Sequence, residues 1–386
     1  MKNMIRFEID KIVNSISFLA GLIITTLIMF CIFFVGFHYS QLSLVEKSNE
    51  AKGVDNLYWQ MEEKYTGVFD DQVVMEILKE YMHQYQQNSV ENRPFNLFSS
   101  NIANVFFPKD RDVYIEMNDA IREGDEISID TVDILSIDDV GFAEFKDPLI
   151  LGNYVPWYDL FKVSGYIFIL LSVICIIISS LIFSNDCSKN INQLLFTTQY
   201  GRTKLTKAKI LSSVIICLGI YAIVNIVLMV VFLVYNHGMS GWDASIQTNF
   251  SMGLYSIPLE LNNLQVWVIT TVFYIANLIA IIGITLLISS LFKSPVGALL
   301  IALGLFILPL GLTYVFKNGV ISEVLYLFPI NNFDTEKILS ILSGESIIFS
   351  NSIIGNYVLM LILLLFVFIV TCIITYTKIN KMKDIN

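Results

Sequence analysis

The sequence predicts an all-α polytopic membrane protein with six transmembrane helices and a small α+β extracytoplasmic domain inserted between helices one and two. Three observations lead there. Hydrophobic residues make up 55% of the 386 and charged residues only 15%, against about 25% charge in an ordinary soluble chain. Six stretches, 16–37, 163–184, 210–235, 264–291, 295–316 and 354–377, contain no Asp, Glu, Lys or Arg, and each reaches the roughly 20 helical residues that a hydrocarbon core demands. Between the first two lies 39–160, with 24 acidic and 9 basic residues. A soluble enzyme and a disordered chain are poor fits to this composition. The net charge of −10 also speaks against nucleic acid as a partner.

The elements follow in chain order. Residues 1–15 and the start of the first span place Ile5, Ile9, Ile12 and Ile16 on one stripe, with Arg6, Asp10 and Lys11 off it, the pattern of an interfacial helix or of a cytoplasmic extension of the first span. The apolar run 16–37 is too long for a signal peptide, and His38-Tyr39-Ser40-Gln41 is a poor cleavage site. Within 39–160, residues 56–88 read as helix broken near Gly67, while Val113-Tyr114-Ile115 and Ile127-Ser128-Ile129 read as strands. Asn225 and Asn277 are polar residues inside spans, suited to a substrate path or to interhelical hydrogen bonds. Gly297, Gly304 and Gly311 recur every seven residues along the fifth span, a stripe on which another helix can pack closely. The exterior loops are 236–263 and 317–352, and in the second Val320–Phe328, ended by Pro329, is too short to span and reads as a re-entrant or interfacial helix. Trp157, Trp242 and Trp267 fall near outer boundaries, where aromatic belts form.

Orientation follows from the basic residues. Segments 1–15, 185–209, 292–294 and 378–386 hold 12 basic and 4 acidic residues, and the opposite side holds 12 basic and 30 acidic. Both termini are therefore expected in the cytoplasm, and 39–160 outside. Cys31, Cys175, Cys187, Cys217 and Cys372 all lie outside 39–160, which leaves that domain no disulfide framework and is compatible with a bacterial envelope.

Chemistry of its own is hard to find in the chain. It contains no G-x-x-x-x-G-K-[ST], no H-E-x-x-H and no C-x-x-C, and His38, His83 and His237 are far apart. No carboxylate or lysine within a span offers a proton relay. The chain is thus expected to bind no cofactor or metal and to catalyse nothing alone.

The cytoplasmic segment 185–209 is the most informative. Ile191, Leu194, Leu195 and Thr198 share one face of a short amphipathic helix, Gly201 is a stop signal, and Thr203 is a cap for the next helix. With Arg202 and Lys204 beside it, such a helix-turn-helix suits docking to a soluble partner or contact with anionic lipid. The run Leu194-Leu195-Phe196-Thr197-Thr198-Gln199-Tyr200-Gly201-Arg202-Thr203-Lys204-Leu205, with Lys209 after it, resembles the stretch between spans two and three of type-2 ABC transporter permeases. In that family a Leu-Leu, a Ser/Thr-Thr-Pro, a Ser-Arg-Thr-x-Leu and a later Lys recur at this spacing. Here Gln199 stands for the proline and Gly201 for the serine. The likeness covers the membrane portion and leaves out 39–160, an insertion of some branches.

The resemblance implies the permease subunit of an ABC exporter in a bacterial cell membrane. Two six-span halves, identical or related, would enclose a path through the lipid. A separate cytoplasmic ATPase would bind ATP and Mg, and would push on a coupling helix at about 190–198 with Arg202, Thr203 and Lys204 behind it. Peptides, lipids, drugs or ions are the substrates of related branches. A sensor whose exterior domain binds a peptide is the alternative of a different class.

Overall fold

The computed structural model describes residues 1–87, 92–198, 200–317, 319–344, 348–350 and 352–381. Among them six helices are long and apolar enough to cross a membrane: Ile16–His38, Val155–Ser188, Lys204–Tyr235, Asn263–Leu291, Pro295–Val315 and Ile353–Lys381. All six coincide with the expected stretches, and several run on past the apolar core into polar flanks. The chain is a multi-pass membrane protein. It divides into two compact units, the first formed by Met1–Ile32, Val163–Met229 and Ile269–Asn386, the second by Phe33–Lys162 and Val230–Val268.

In the first unit, α1 (Lys2–Val13) precedes α2 (Ile16–Phe33), the first span. Burial then sorts the remaining spans. In their most apolar windows α9 (Val155–Ser188) is 72% buried and α12 (Asn263–Leu291) 67%. The figure is only 22% for α11 (Lys204–Tyr235), α13 (Pro295–Val315) and α16 (Ile353–Lys381). The two interior helices therefore meet each other, and the outer ones leave apolar faces for lipid, which is as good a solvent for Leu and Ile as a protein core.

Polar and small groups fasten that interior, as they do where apolar burial drives nothing. Ser289 Oγ of α12 donates to Ser180 O of α9 at 2.6 Å and accepts from the amides of Phe183 and Ser184, each at 3.1 Å. Phe168 stacks on Tyr274 with centroids 4.5 Å apart. At Gly283 a Cβ would lie 2.5 Å from Thr371 Oγ1 and 3.1 Å from Phe368 Cα, so α12 and α16 touch there almost backbone to side chain. Between the last two spans, the expected short helix before Pro329 is α14 (Val320–Tyr326). The next helix, α15 (Thr335–Ser343), was not foreseen; Asp334 caps it by accepting from the amides of Glu336 and Lys337.

The second unit is helical. It comprises α3 (Gln41–Glu50), α4 (Leu57–Tyr65), α5 (Asp71–Gln87), α6 (Leu97–Phe106), α7 (Val113–Glu123) and the single turn α8 (Ile137–Val140). The expected α+β character shrinks to one antiparallel pair of two-residue strands, β1 (Gly67–Val68) and β2 (Ile150–Leu151). Val113-Tyr114-Ile115, read as a strand, opens a helix instead. Asp112 caps it through the Ile115 amide, Gly124 ends it in the left-handed region (φ 84°), and Val113 and Met117, four residues apart, are both buried. Ile127-Ser128-Ile129 leads into a 3-10 turn rather than a strand.

The segment Val230–Val268 belongs to this unit and completes its core. Phe250 sits among Phe69, Phe106 and Tyr154, with centroids 5.5 to 6.1 Å away. Trp157 is also interior: it is fully buried and donates from Nε1 to Ser240 O at 2.9 Å, which removes it from any interfacial belt. Truncating a buried aromatic costs about 3–5 kcal/mol. Phe250→Ala should therefore loosen the whole second unit, seen as faster limited proteolysis within 39–160 of the full-length protein.

Candidate functional site: the 185–209 segment and its buried charges

The polypeptide leaves α9 through Lys189 and Asn190. Asn190 adopts the left-handed conformation (φ 56°), which asparagine tolerates better than most residues. It then forms α10 (Ile191–Thr197), a helix of 7 residues. A helix so short is not stable alone, and local bonds hold it. Thr197 and Thr198 donate their hydroxyls to Leu194 O and Leu195 O at 2.8 and 2.7 Å. Past the turn, the Leu205 amide donates to Tyr200 O at 3.0 Å, and α11 starts directly after Thr203.

The expected single apolar face is split. Ile191 and Leu194 point outward, 39% and 72% exposed, whereas Leu195 turns inward and shares a cavity of about 30 Å³ with Leu205, Lys209 and Ile379. Thr198 and Lys204 are exposed, and Arg202 and Thr203 half-buried. The Lys204 ammonium lies 3.8 Å from the centre of the Tyr200 ring, a cation–π contact. Gln199 lies outside the described residues.

Gly201 is fixed by space alone. A Cβ there would sit 1.7 Å from Leu195 O and 2.7 Å from Thr198 Oγ1, because the turn folds back onto the last carbonyls of α10. A serine, which the resemblance would lead one to expect here, has no room in this turn.

Below this segment lies a cluster that the sequence reading missed. Lys209 Nζ of α11 is 2.9 Å from Glu8 Oε2 of α1 and 2.7 Å from Asp186 Oδ2 of α9. Lys11 Nζ approaches the other Asp186 oxygen at 2.6 Å. The side chains of Glu8, Asp186 and Lys209 are 3 to 5% exposed and that of Lys11 32%. Two carboxylates and two ammonium groups thus neutralise one another, three of them buried and Lys11 keeping part of its surface exposed. Ser212 Oγ adds a bond to Ile5 O at 3.2 Å. The cluster pins α1 to both helices from which α10 is suspended. One signal was available in the sequence. Asp186 follows the end of one apolar run by two residues and Lys209 immediately precedes the next, so opposite charges stand at one depth.

The other candidate residues are not drawn to this place. Asn225 Nδ2 donates to Tyr221 O of its own helix at 2.9 Å. Asn277, fully buried, donates to Phe273 O at 3.0 Å and accepts from Asn332 at 3.4 Å. A Cβ on Gly304 or Gly311 would meet nothing within 4 Å, and on Gly297 only Ser294 and Phe292 nearby in sequence. No helix of this chain packs on that stripe among the described residues.

Two outcomes follow from these distances. Breaking one partner out of a buried ion pair costs about 3–5 kcal/mol, because the remaining charge stays buried. Lys209→Met should lower the thermal unfolding midpoint of the purified protein accordingly, and adding Glu8→Gln should recover part of the loss. At Gly201, serine should cost about 1–3 kcal/mol of overpacking, and the same melt should show it.

Neither a curated protein nor a solved structure matches the chain. A family model described as "ABC-2 family transporter protein" matches residues 3–380. The match takes in 39–160, which the likeness in the sequence left out. With six membrane-crossing helices and a match over almost the whole length, the chain belongs to the ABC-2 transporter family, the type-2 permeases of ABC transporters.

Proposed function

We propose that this permease is the membrane half of an exporter driven by a separate cytoplasmic ATPase, which carries the ATP and Mg, and that α10 is the element it pushes. The observation that supports this most directly is Leu194: an apolar side chain 72% exposed, with Ile191 beside it, on a 7-residue helix whose base is fastened by buried charges. Exposed apolar residues presented on a fixed support suit a complementary groove in a partner. Lys204 and the half-buried Arg202 add positive charge behind it.

In this reading the basic flanks lie in the cytoplasm and the second unit faces outward, following the positive-inside rule. ATP favours a closed ATPase pair, and the docked α10 follows. The shift is worth only as much as the difference in affinity between the two states. The open side of Gly304 and Gly311 gives a second permease half a surface to approach. The cargo, a peptide, lipid, drug or ion, moves along the spans; of the two span asparagines, Asn225 keeps partial exposure to meet it, whereas Asn277 is fully buried and would have to be uncovered first. Family membership favours this over a peptide sensor.

Pull-down of candidate ABC ATPases co-expressed with the tagged permease tests the reading. Losing a central apolar anchor weakens an interface by about 2 kcal/mol or more. Leu194→Asp should therefore abolish recovery of the ATPase while the permease still inserts, and Arg202→Glu with Lys204→Glu should remove its stimulation. Unchanged recovery and stimulation in both variants would defeat the docking role.

A further inference from the structure

We propose that a groove beside the buried charges, between α1, the start of α2 and the end of α9, binds one anionic phospholipid by its headgroup. The groove has a volume of about 310 Å³. Its walls are apolar, with Ile12 on α1 facing Ile178 and Ile182 on α9, the last two buried. Its rim is polar. Ser17, Asn185 and Lys189 line it, and no hydrogen bond or ion pair among the described residues engages any of their side chains.

The charges at its floor are already spent. Glu8 and Lys11 both line the groove, but both are tied into the neutral cluster with Asp186 and Lys209. The exposed Lys189 is thus the uncommitted cation of the rim. A hydroxyl, an amide and an ammonium around an apolar slot offer donors to a phosphate and a dry wall to the carbons behind it.

The acyl chains have a track to follow. Ile16, which lines the groove, is 85% exposed, and Leu19, Ile23 and Leu27 continue the same face of α2 at 47%, 62% and 62% exposure. The spacing of three, four and four residues keeps them in one stripe. An amphiphile with its phosphate at Lys189 would lay its tails along this stripe. A soluble phosphate compound would leave the stripe bare. The inference rests on membrane insertion and not on the ATPase.

Native mass spectrometry of the full-length protein tests it, with phosphatidylglycerol, phosphatidylcholine and soluble glycerol phosphate as probes. One phosphatidylglycerol should be retained per chain in preference to phosphatidylcholine, and glycerol phosphate should not bind. One basic residue near a charged membrane surface is worth about fivefold in affinity, so Lys189→Met should weaken retention of phosphatidylglycerol by about that factor and leave phosphatidylcholine unchanged. Ile16→Asn should lower retention of both lipids; Ile16 and Lys189 are exposed, so neither change removes a buried contact. Equal retention of the two lipids, or no effect of Lys189→Met, would overturn the site. Binding of glycerol phosphate as tight as that of the lipid would show an anion site and overturn the lipid assignment.

Discussion

The compact arrangement at the base of the spans depends on three charges taken out of water together, Glu8, Asp186 and Lys209, with the part-exposed Lys11 closing the cluster. Desolvating an ion costs several kcal/mol, and only good mutual geometry repays it. Such a cluster therefore tolerates the loss of any one partner poorly, because the charge left behind stays buried. It joins the N-terminal helix to two consecutive span helices 175 or more residues further along the chain. The segment 189–203 hangs between two of them, so its two ends cannot drift apart independently.

Above the charges the chain obeys the rules of lipid. Surrounded by hydrocarbon, α11, α13 and α16 gain little by covering their apolar faces, and most of their surface stays open. Helices α9 and α12 meet through what lipid cannot supply, a serine hydroxyl that bonds three backbone groups and a stacked aromatic pair. Lys378 extends the same logic to a helix end, donating to Ser290 O at 2.6 Å near the last turn of α12. Apolar bulk places the helices in the membrane, and a few polar bonds decide which of them are neighbours.

The spans were legible because an apolar run of this length has one structural solution in hydrocarbon. The helix 191–197 was legible from the spacing of Ile191, Leu194, Leu195 and Thr198 and from the stop at Gly201, but not the direction of its side chains, since Leu194 and Leu195 are equally apolar and only tertiary packing turns one out and the other in. The domain 39–160 was misread where three alternating residues, Val113-Tyr114-Ile115, outweighed Asp112 and Gly124 as helix boundaries. Trp157 was misplaced because proximity to a span end does not reveal which unit the indole enters. The buried charges escaped notice because pairing across 175 and 201 residues leaves no periodic trace.

The inequality between inner and outer helices has a bearing on how the gene can vary. A residue that faces hydrocarbon can be exchanged for any other greasy side chain without disturbing a neighbour, whereas one wedged between α9 and α12 must keep both its volume and its shape. Sequences drifting apart from this one should therefore diverge fastest along the outward flanks of α11 and α16. Reporter groups such as spin labels or fluorophores belong on those same flanks, where they would leave the architecture undisturbed.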